Sequence, residues 1–106
     1  MREDPVISTG SATLNDYRGS GYDRGHLAPA EDFEWSAKGM GDTFFMSNMS
    51  PQNPSFNRGI WKKLENRVRK WAVGNEEIYV VAGPVLTDGP YKTIGENSVS
   101  IPKRFY

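Results

Sequence analysis

The sequence predicts a single α+β domain with an antiparallel sheet, and three observations favour that class. The chain has 106 residues, which is room for one small domain. Two short apolar runs, residues 43–47 and 78–82, are typical of buried strands. A longer segment that begins near Asn57 repeats its apolar residues with the period of a helix. The expected order is therefore loop, strand, strand, loop, helix, strand, turn, strand.

The segments around the predicted strands are rich in turn-forming residues. Residues 1–22 contain three glycines among Ser, Thr, Asn and Asp, so we expect a surface loop there. Residues 48–56 contain two prolines and are expected to be irregular. The strand at 78–82 should end at the following Gly-Pro pair, and residues 99–106 should form a third extended segment.

The clearest predicted element is the helix. The Asn-Pro pair at residues 53–54 is typical of a helix start, and the Gly-Asn pair at 74–75 is typical of a helix end. One apolar stripe repeats at every fourth position: Ile60, Leu64, Val68 and Ala72. Trp61 and Trp71 lie at the edges of this stripe, so we expect them in the core rather than as platforms for stacked bases.

The overall composition excludes several classes of protein. Thirteen basic residues balance thirteen acidic ones, so no net charge marks the whole chain for nucleic acids or membranes. The absence of cysteine excludes disulfide frameworks, thiolate zinc sites and cysteine nucleophiles. No apolar run approaches the roughly 20 residues of a membrane-spanning helix, and the polar first residues do not form a signal peptide. We therefore expect a soluble chain.

The predicted helix is basic although the whole chain is neutral. Between residues 57 and 71 the sequence has a single acid, Glu65, and six basic residues: Arg58, Lys62, Lys63, Arg67, Arg69 and Lys70. A basic face of this kind can bind the phosphates of a nucleic acid. The alternative is a solvated face that only flanks the apolar stripe.

The single histidine, His26, lies two residues after Arg24. On an extended segment, side chains two residues apart face the same side, so an anion bound by Arg24 would lie beside His26. An imidazole with a pKa of about 6.5 can remove a proton from water near neutral pH, and a guanidinium binds phosphate oxygens. The pair therefore indicates phosphoester chemistry. The alternative for a lone histidine is a loop residue that hydrogen-bonds to the backbone.

Asn57 and Glu65 are candidates for a divalent cation site. They are eight residues apart, a little over two turns, and so lie on roughly the same side of the predicted helix. Mg²⁺ keeps several waters and takes few protein ligands, so an amide oxygen with a nearby carboxylate would suffice. The alternatives are that Asn57 is a helix cap and that Glu65 forms a salt bridge with Lys62 or Arg69.

Three segments in this order resemble the DNA/RNA non-specific endonuclease family. They are residues 20–30 (SGYDRGHLAPA), 47–52 (SNMSPQ) and 57–65 (NRGIWKKLE). The family is the ββα-metal group of nucleases, which includes endonuclease G-like enzymes and secreted bacterial sugar-nonspecific nucleases. The resemblance implies an α+β, ββα-metal nuclease core in which an antiparallel sheet packs on the basic amphipathic helix.

The resemblance also implies roles for individual residues. His26 matches the general base, Asn57 the sole direct protein ligand of Mg²⁺, and Glu65 the acid that orients the water shell of the ion. Mn²⁺ is the alternative ion. Arg24 matches a residue that contacts phosphate or the transition state. Asn48 falls near the active site, where it has either a catalytic role or a hydrogen bond that holds the loop.

The implied substrates are DNA and RNA, recognised through the phosphate backbone. Arg24, Arg58, Lys62 and Lys63 are the expected contacts, and the products of cleavage are expected to carry a 5′-phosphate. Backbone recognition predicts binding that is sensitive to salt and indifferent to sequence. No membrane partner is expected. A homodimer through unpaired sheet edges is one expectation for the oligomeric state.

Two rival functions are also compatible with the sequence. The first is a catalytically silent nucleic-acid-binding remnant of the nuclease fold, and the second is a structural or interaction domain. We expect residues 1–106 to form one nuclease core domain that lacks flanking strands at both ends. The resemblance favours an exported bacterial protein, periplasmic or extracellular, with the mitochondrion as the alternative.

Overall fold

Short strands and one long helix make up the computed structural model, which describes all 106 residues. The helices are α1 (Leu14–Tyr17), α2 (Ala37–Asp42), α3 (Pro54–Arg58) and α4 (Ile60–Gly74). The strands are β1 (Asp23–His26), β2 (Met49–Gln52), β3 (Thr93–Ile94) and β4 (Val99–Ser100). Two 3-10 turns, Ala30–Phe33 and Met46–Asn48, connect them. The α+β class is confirmed. No helix has the length and apolar character needed to cross a membrane.

His26 is the last residue of β1, which pairs with β2 in an antiparallel sheet. Asp23 pairs with Gln52 at one end of the ladder, and His26 pairs with Met49 at the other. A side chain at Gly25 would overlap the side chain of Gln52, which is only 1% exposed. Glycine at position 25 is therefore required for β1 to approach β2 this closely.

The predicted helix is present, but Gly59 divides it into α3 and α4. Asn53 begins α3, where its side chain accepts a hydrogen bond from the backbone N–H of Ser55 at 3.0 Å. At Gly59 a Cβ atom would lie 2.5 Å from the carbonyl oxygen of Ser55, so only glycine fits this bend. The predicted start and end are confirmed, because α4 ends at Gly74 and the N–H of Asn75 donates to the carbonyl of Trp71.

The main apolar core lies between α1, β2 and the β3–β4 hairpin. Its buried members are Tyr17, Met46, Met49 and Ile94, one from α1, one from the second 3-10 turn, one from β2 and one from β3. A second aromatic cluster joins α3 and α4 to the end of the chain. There Trp61 packs against Phe56 and Phe105, with ring centroids 5.3 and 5.7 Å away. The prediction that Trp61 belongs to the core is confirmed.

The strand predicted at residues 43–47 is wrong. These residues form a turn, a single bridge at Phe45 and the start of a 3-10 turn, while the strand β2 follows at Met49–Gln52, in a segment expected to be irregular. Pro51 is tolerated in β2 because this strand has only one neighbour, β1, so a missing N–H donor can face away from the ladder. Pairing with a distant segment therefore decided which residues became the strand.

The buried strand predicted at residues 78–82 is also wrong. The segment pairs with no other strand, and the side chain of Tyr79 is 92% exposed. Of the extended segment predicted at 99–106, only Val99–Ser100 forms a strand, and Phe105 adds one bridge to Pro84. High β-propensity describes a side chain that fits a sheet surface, but a strand forms only where a neighbouring strand supplies hydrogen bonds.

The apolar stripe of α4 is open to solvent along much of its length. Ile60 and Leu64 are exposed, and Trp71 is 50% exposed, so the expectation that Trp71 lies in the core is wrong. The helix contacts the strand pair through α3, at its N-terminal end, rather than through the stripe. This arrangement directs the first turns of α4 towards β1.

Asp16 forms hydrogen bonds that link α1 to the β3–β4 hairpin, two elements that contribute side chains to the main core. Its carboxylate accepts hydrogen bonds from the backbone N–H of Thr13 at 2.8 Å and from the backbone N–H and side chain of Asn97 at 3.1 and 2.8 Å. The hydrogen bonds from Asn97 and Thr13 lower the pKa of Asp16 from 3.8 to about 2.

We expect Asp16 to make the fold sensitive to acid. Its pKa is lower in the folded chain than in the unfolded chain, so its contribution is complete above about pH 4 and is lost as the pH falls towards 2. Thermal unfolding measured by circular dichroism from pH 6 to 2 should show this loss. In Asp16→Asn the melting temperature should be lower at pH 6 and should depend less on pH. An equal pH dependence in both proteins would contradict this role.

Candidate active site

One cavity receives side chains from the end of β1, from α3 and from α4. It has a volume of about 280 Å³, and its lining includes His26, Asn57 and Glu65. The bend at Gly59 lets Asn57 at the end of α3 and Glu65 on α4 face the same space. The structure therefore brings His26 to the same cavity as Asn57 and Glu65, which follow it by 31 and 39 residues.

The His26 imidazole is half-buried in this cavity. Its ring packs edge-on against the ring of Phe44, with centroids 4.9 Å apart. Burial, and then the charge of Arg24, lower the pKa of His26 below its usual value of 6.5, so the ring is neutral at pH 7. The Nε2 atom is buried and has no hydrogen-bond partner within the chain. This side chain has the charge state that a proton acceptor needs.

Asp23 holds the side chain of Asn57 in one orientation. The Asn57 amide nitrogen donates to Asp23 Oδ2 at 3.0 Å, and Arg58 donates to both carboxylate oxygens of Asp23 at 2.9 and 2.8 Å. Since the NH₂ group of Asn57 is committed to Asp23, its carbonyl oxygen is the free end of the amide. Asn57 is therefore more than a helix cap, because its side chain is oriented by a residue 34 positions away.

The pKa of Asp23 reflects this network. Burial alone would raise the pKa, but the hydrogen bonds from Arg58 and Asn57, with the charges of Arg58 and Arg24, lower it below its usual value of 3.8. Asp23 is thus ionised at neutral pH, which keeps the hydrogen bonds to Asn57 and Arg58 charge-assisted.

Glu65 is a half-buried carboxyl group with no ion-pair partner. Burial raises its pKa from 4.5 to about 7, and the acids Asp32 and Glu31 add to this rise against the opposing charges of Arg69 and Lys62. The alternative in which Glu65 forms a salt bridge is not seen. Arg69 instead pairs with Asp32 at 2.7 Å and with Glu31 at 3.2 Å.

Arg69 is a cavity residue that was expected only as part of the basic face or as a salt-bridge partner of Glu65. It lines the same cavity as His26 and Glu65, and its guanidinium is held by the acidic pair at residues 31–32. A signal was available, because Arg69 is four residues after Glu65 and so faces the same side of α4. Its pairing with residues 31–32, which precede it by 37 positions or more, was not visible in the sequence.

Of the remaining predicted site residues, Arg58 and Lys62 line the cavity, but Arg24, Asn48 and Lys63 do not. Arg24 lines a neighbouring cavity that shares Asn57 and Arg58. Lys63 lies on the other side of α4, beside the apolar groove that contains Trp71.

Asn48 holds the chain at the end of β1. Its carbonyl oxygen accepts from the N–H of Ala28 at 2.9 Å, and its amide nitrogen donates to the carbonyls of Ala28 and Thr43, each at 2.9 Å. Its backbone carbonyl also accepts from the N–H of Leu27. Because the polar side-chain atoms are all engaged with backbone, the geometry favours the loop-holding alternative over a direct catalytic role.

The donors in this cavity fit a hard, strongly hydrated cation. The free amide oxygen of Asn57 and the unpaired carboxyl group of Glu65 are oxygen donors of the kind that Mg²⁺ and Mn²⁺ accept. No cluster of three His, Cys, Asp or Glu side chains occurs in the chain. The donor set therefore suits an ion that retains most of its waters and does not suit a closed zinc site.

A family model described as DNA/RNA non-specific endonuclease matches residues 2–106. Human mitochondrial endonuclease G is 42% identical over an alignment of 113 positions that covers 98% of this chain and 38% of that protein. Nuclease C1 of Cunninghamella echinulata is 41% identical over an alignment of 116 positions that covers 100% of this chain and 46% of that protein. EndoG in the crystal structure of the EndoG/EndoGI complex superposes with a TM-score of 0.76 at 38% identity, over 89% of this chain and 42% of that one.

The chain spans less than half the length of these relatives. Several relatives, from human, mouse and Schizosaccharomyces pombe, are named as mitochondrial proteins. The mitochondrial alternative therefore has support from these names, whereas the expectation of an exported bacterial protein has none.

We expect the carboxyl group of Glu65 to titrate near neutral pH. Its carbon-13 NMR signal should show a midpoint close to pH 7 instead of 4.5, because burial disfavours its charged form. As the pKa is raised in the folded chain, ionisation of Glu65 opposes folding, and stability should fall as the pH rises through 4.5 to 7. Glu65→Gln should remove this part of the pH dependence. A midpoint below pH 5 would contradict the burial of this side chain.

Proposed function

The chain belongs to the DNA/RNA non-specific endonuclease family, and from this premise we propose that it hydrolyses phosphodiester bonds of DNA and RNA without regard to sequence. The observation that supports the proposal most directly is the shared cavity of His26, Asn57 and Glu65. Together they supply a neutral base, an oriented oxygen donor and a carboxyl group around one space large enough for water and a phosphate group.

In the proposed reaction, His26 removes a proton from a water molecule while the water oxygen attacks phosphorus. The bond between phosphorus and the 3′ oxygen breaks, and the 3′ oxygen takes a proton from solvent. The products are a 5′-phosphate and a 3′-hydroxyl. The lowered pKa of His26 supports this role, because only the neutral imidazole can accept the proton.

Asn57 and Glu65 would hold Mg²⁺, with Mn²⁺ as the alternative. When bound, the ion stabilises the negative charge that develops on the phosphoryl and leaving oxygens. Asn57 would contribute its free carbonyl oxygen as the direct ligand, and Glu65 would orient the waters of the ion. Asp23 is a positioning residue in this scheme, since it fixes which end of the Asn57 amide faces the cavity.

Substrate binding would rely on the phosphate backbone. Arg58 and Lys62 line the candidate active site, and Arg24 lines the neighbouring cavity. Charges of this kind contact phosphate oxygens and carry no base information, so binding should be tight at low salt and weak at high salt. Lys63 is on the opposite side of α4, so we assign it no part in binding at this site.

We expect His26→Ala to lose most of the nuclease activity. Loss of the general base should lower kcat by about 10²–10⁴-fold, without loss of nucleic-acid binding. Relaxation of supercoiled plasmid and degradation of RNA, each with Mg²⁺ and with EDTA, measure this effect.

Arg67→Ala is the matched control, because Arg67 is exposed beside the groove on the other side of α4. Cleavage by His26→Ala at the wild-type rate, or cleavage in EDTA, would contradict the mechanism. Binding by the wild type without cleavage would favour the silent remnant.

We expect Asp23→Asn to weaken metal binding more than folding. The substitution keeps the shape of the side chain but removes the charge that orients Asn57, so the Mg²⁺ concentration for half-maximal activity should rise about 10–100-fold. Asp42→Asn is the control, since Asp42 also pairs with a basic residue, Lys38, but lies on α2. An unchanged Mg²⁺ dependence of Asp23→Asn would rule out the positioning role, provided that circular dichroism shows the variant to be folded.

A further inference from the structure

A second cavity adjoins the candidate active site. Its volume is about 490 Å³, and it shares Asn57 and Arg58 with the cavity that contains His26. The rest of its lining comes from Met1, from α1, from the segment that joins α1 to β1 and from the first two residues of β1, and it includes Arg18, Tyr22 and Arg24. The two cavities are therefore neighbours on either side of a common wall at the end of α3.

The second cavity carries an excess of positive charge. Three guanidinium groups line it, from Arg18, Arg24 and Arg58, against one carboxylate, from Asp23. Both oxygens of that carboxylate are already bound by Arg58, and one also accepts from Asn57. Arg18 and Arg24 are exposed and form no ion pair with the chain. Two guanidinium groups are thus free to bind an external anion, with the forked geometry that matches phosphate oxygens.

The hydroxyl of Tyr17 is a second, independent indication that this cavity binds a ligand. The Tyr17 side chain is 5% exposed and lines the cavity, yet its hydroxyl is buried without a hydrogen-bond partner. A buried hydroxyl without a partner is unfavourable, and most such groups in proteins are paired. Arg24 lines the same cavity as the Tyr17 side chain. A phosphate oxygen bound by Arg24 in this cavity would accept a hydrogen bond from the Tyr17 hydroxyl.

The backbone around Arg18 is held in place. The N–H of Arg18 donates to the carbonyl of Leu14 at 3.1 Å, and the N–H of Ser20 donates to the carbonyl of Tyr17 at 3.0 Å. Gly19 and Gly21 have φ of +69° and +83°, values that favour glycine, and they turn the chain from α1 into β1. The turn thus places Arg18 on the same cavity as Arg24, six residues later.

We propose that this cavity is a second phosphate subsite, in which Arg18 and Arg24 bind a backbone phosphate of the same strand, next to the scissile one. The assignment rests on the proposed endonuclease function. It adds Arg18 as a residue that binds substrate and does not take part in the chemical step. Arg18→Ala should therefore raise KM by about tenfold and leave kcat nearly unchanged.

A cleavage-ladder experiment tests the subsite directly. Each single-stranded oligonucleotide contains one neutral methylphosphonate at a known position, and the ladder of products shows which bonds the enzyme cuts. With the wild type, cleavage should be depleted at the neutral position. It should also be depleted at one neighbouring bond, because cutting that bond requires the neutral group to occupy the second subsite, where the arginines cannot bind it as an anion. With Arg18→Ala the neighbouring depletion should disappear. Arg67→Ala, which removes the same charge elsewhere, should behave as the wild type does.

The ladder overturns the proposal if the wild type shows no neighbouring depletion, or if Arg18→Ala retains it. Inhibition by a 5′-mononucleotide distinguishes a subsite for a phosphate of the substrate strand from a binding site for a free nucleotide. If Arg18→Ala loses inhibition by the mononucleotide but has an unchanged ladder, the cavity is a nucleotide site and the proposed strand subsite is wrong.

A binding measurement tests the second subsite without depending on cleavage. Fluorescence anisotropy of a labelled oligonucleotide can be followed in His26→Ala with and without Arg18→Ala, over a range of salt concentrations. Loss of one phosphate contact should weaken binding about tenfold and reduce the salt dependence by the equivalent of about one phosphate. Equal affinity and equal salt dependence would overturn the subsite even where no cleavage is seen. If the wild type binds but never cleaves, the endonuclease proposal fails and this binding result still decides the subsite.

Discussion

The candidate active site depends on the carboxylate of Asp23 more than on any other single group. Asp23 is on β1, yet it receives hydrogen bonds from Asn57 and Arg58 at the end of α3. These bonds join the strand that carries His26 to the bend from which α4 departs. If this link were absent, the Asn57 amide could turn over and the base and the oxygen donor would no longer be held at one cavity. A structural contact between two elements therefore also sets the geometry of the proposed chemistry.

Burial shifts the two titratable groups of the cavity in opposite directions for one reason. Removal from water disfavours a charge, so the pKa of His26 falls and the pKa of Glu65 rises, and both groups move towards neutrality. Arg69 is close enough to oppose the shift of Glu65, but Glu31 and Asp32 occupy its guanidinium. The acidic pair at residues 31–32 thus keeps Glu65 without an ion-pair partner and leaves its carboxyl group available to the cavity.

Local signals predicted the helix and the side chains that share the cavity better than they predicted the strands. The bounds of the helix, the extended backbone at Arg24 and His26, and the shared side of Asn57 and Glu65 follow from spacing within one segment, and each is present in the structure. The strands predicted at 43–47 and 78–82 were wrong because a strand depends on a partner strand, which can lie at any distance along the chain. The bonds of Asp23 to α3 and of Arg69 to residues 31–32 join groups more than 30 positions apart, so no local pattern could reveal them.

Asp23 lies beside Asn57 and Arg58, the two residues shared by both cavities, although the second cavity is proposed to bind an anion. A free carboxylate beside a phosphate would repel it, but Arg58 binds both oxygens of Asp23, so this ion pair has no net charge. Arg58 remains largely exposed in this position and still presents N–H groups to both cavities. In the proposed enzyme, Asp23 thus orients the donor on the catalytic side while Arg58 faces substrate on both sides. Substrate position and reaction geometry are then set by the same four hydrogen-bonded groups: two carboxylate oxygens, one amide and one guanidinium.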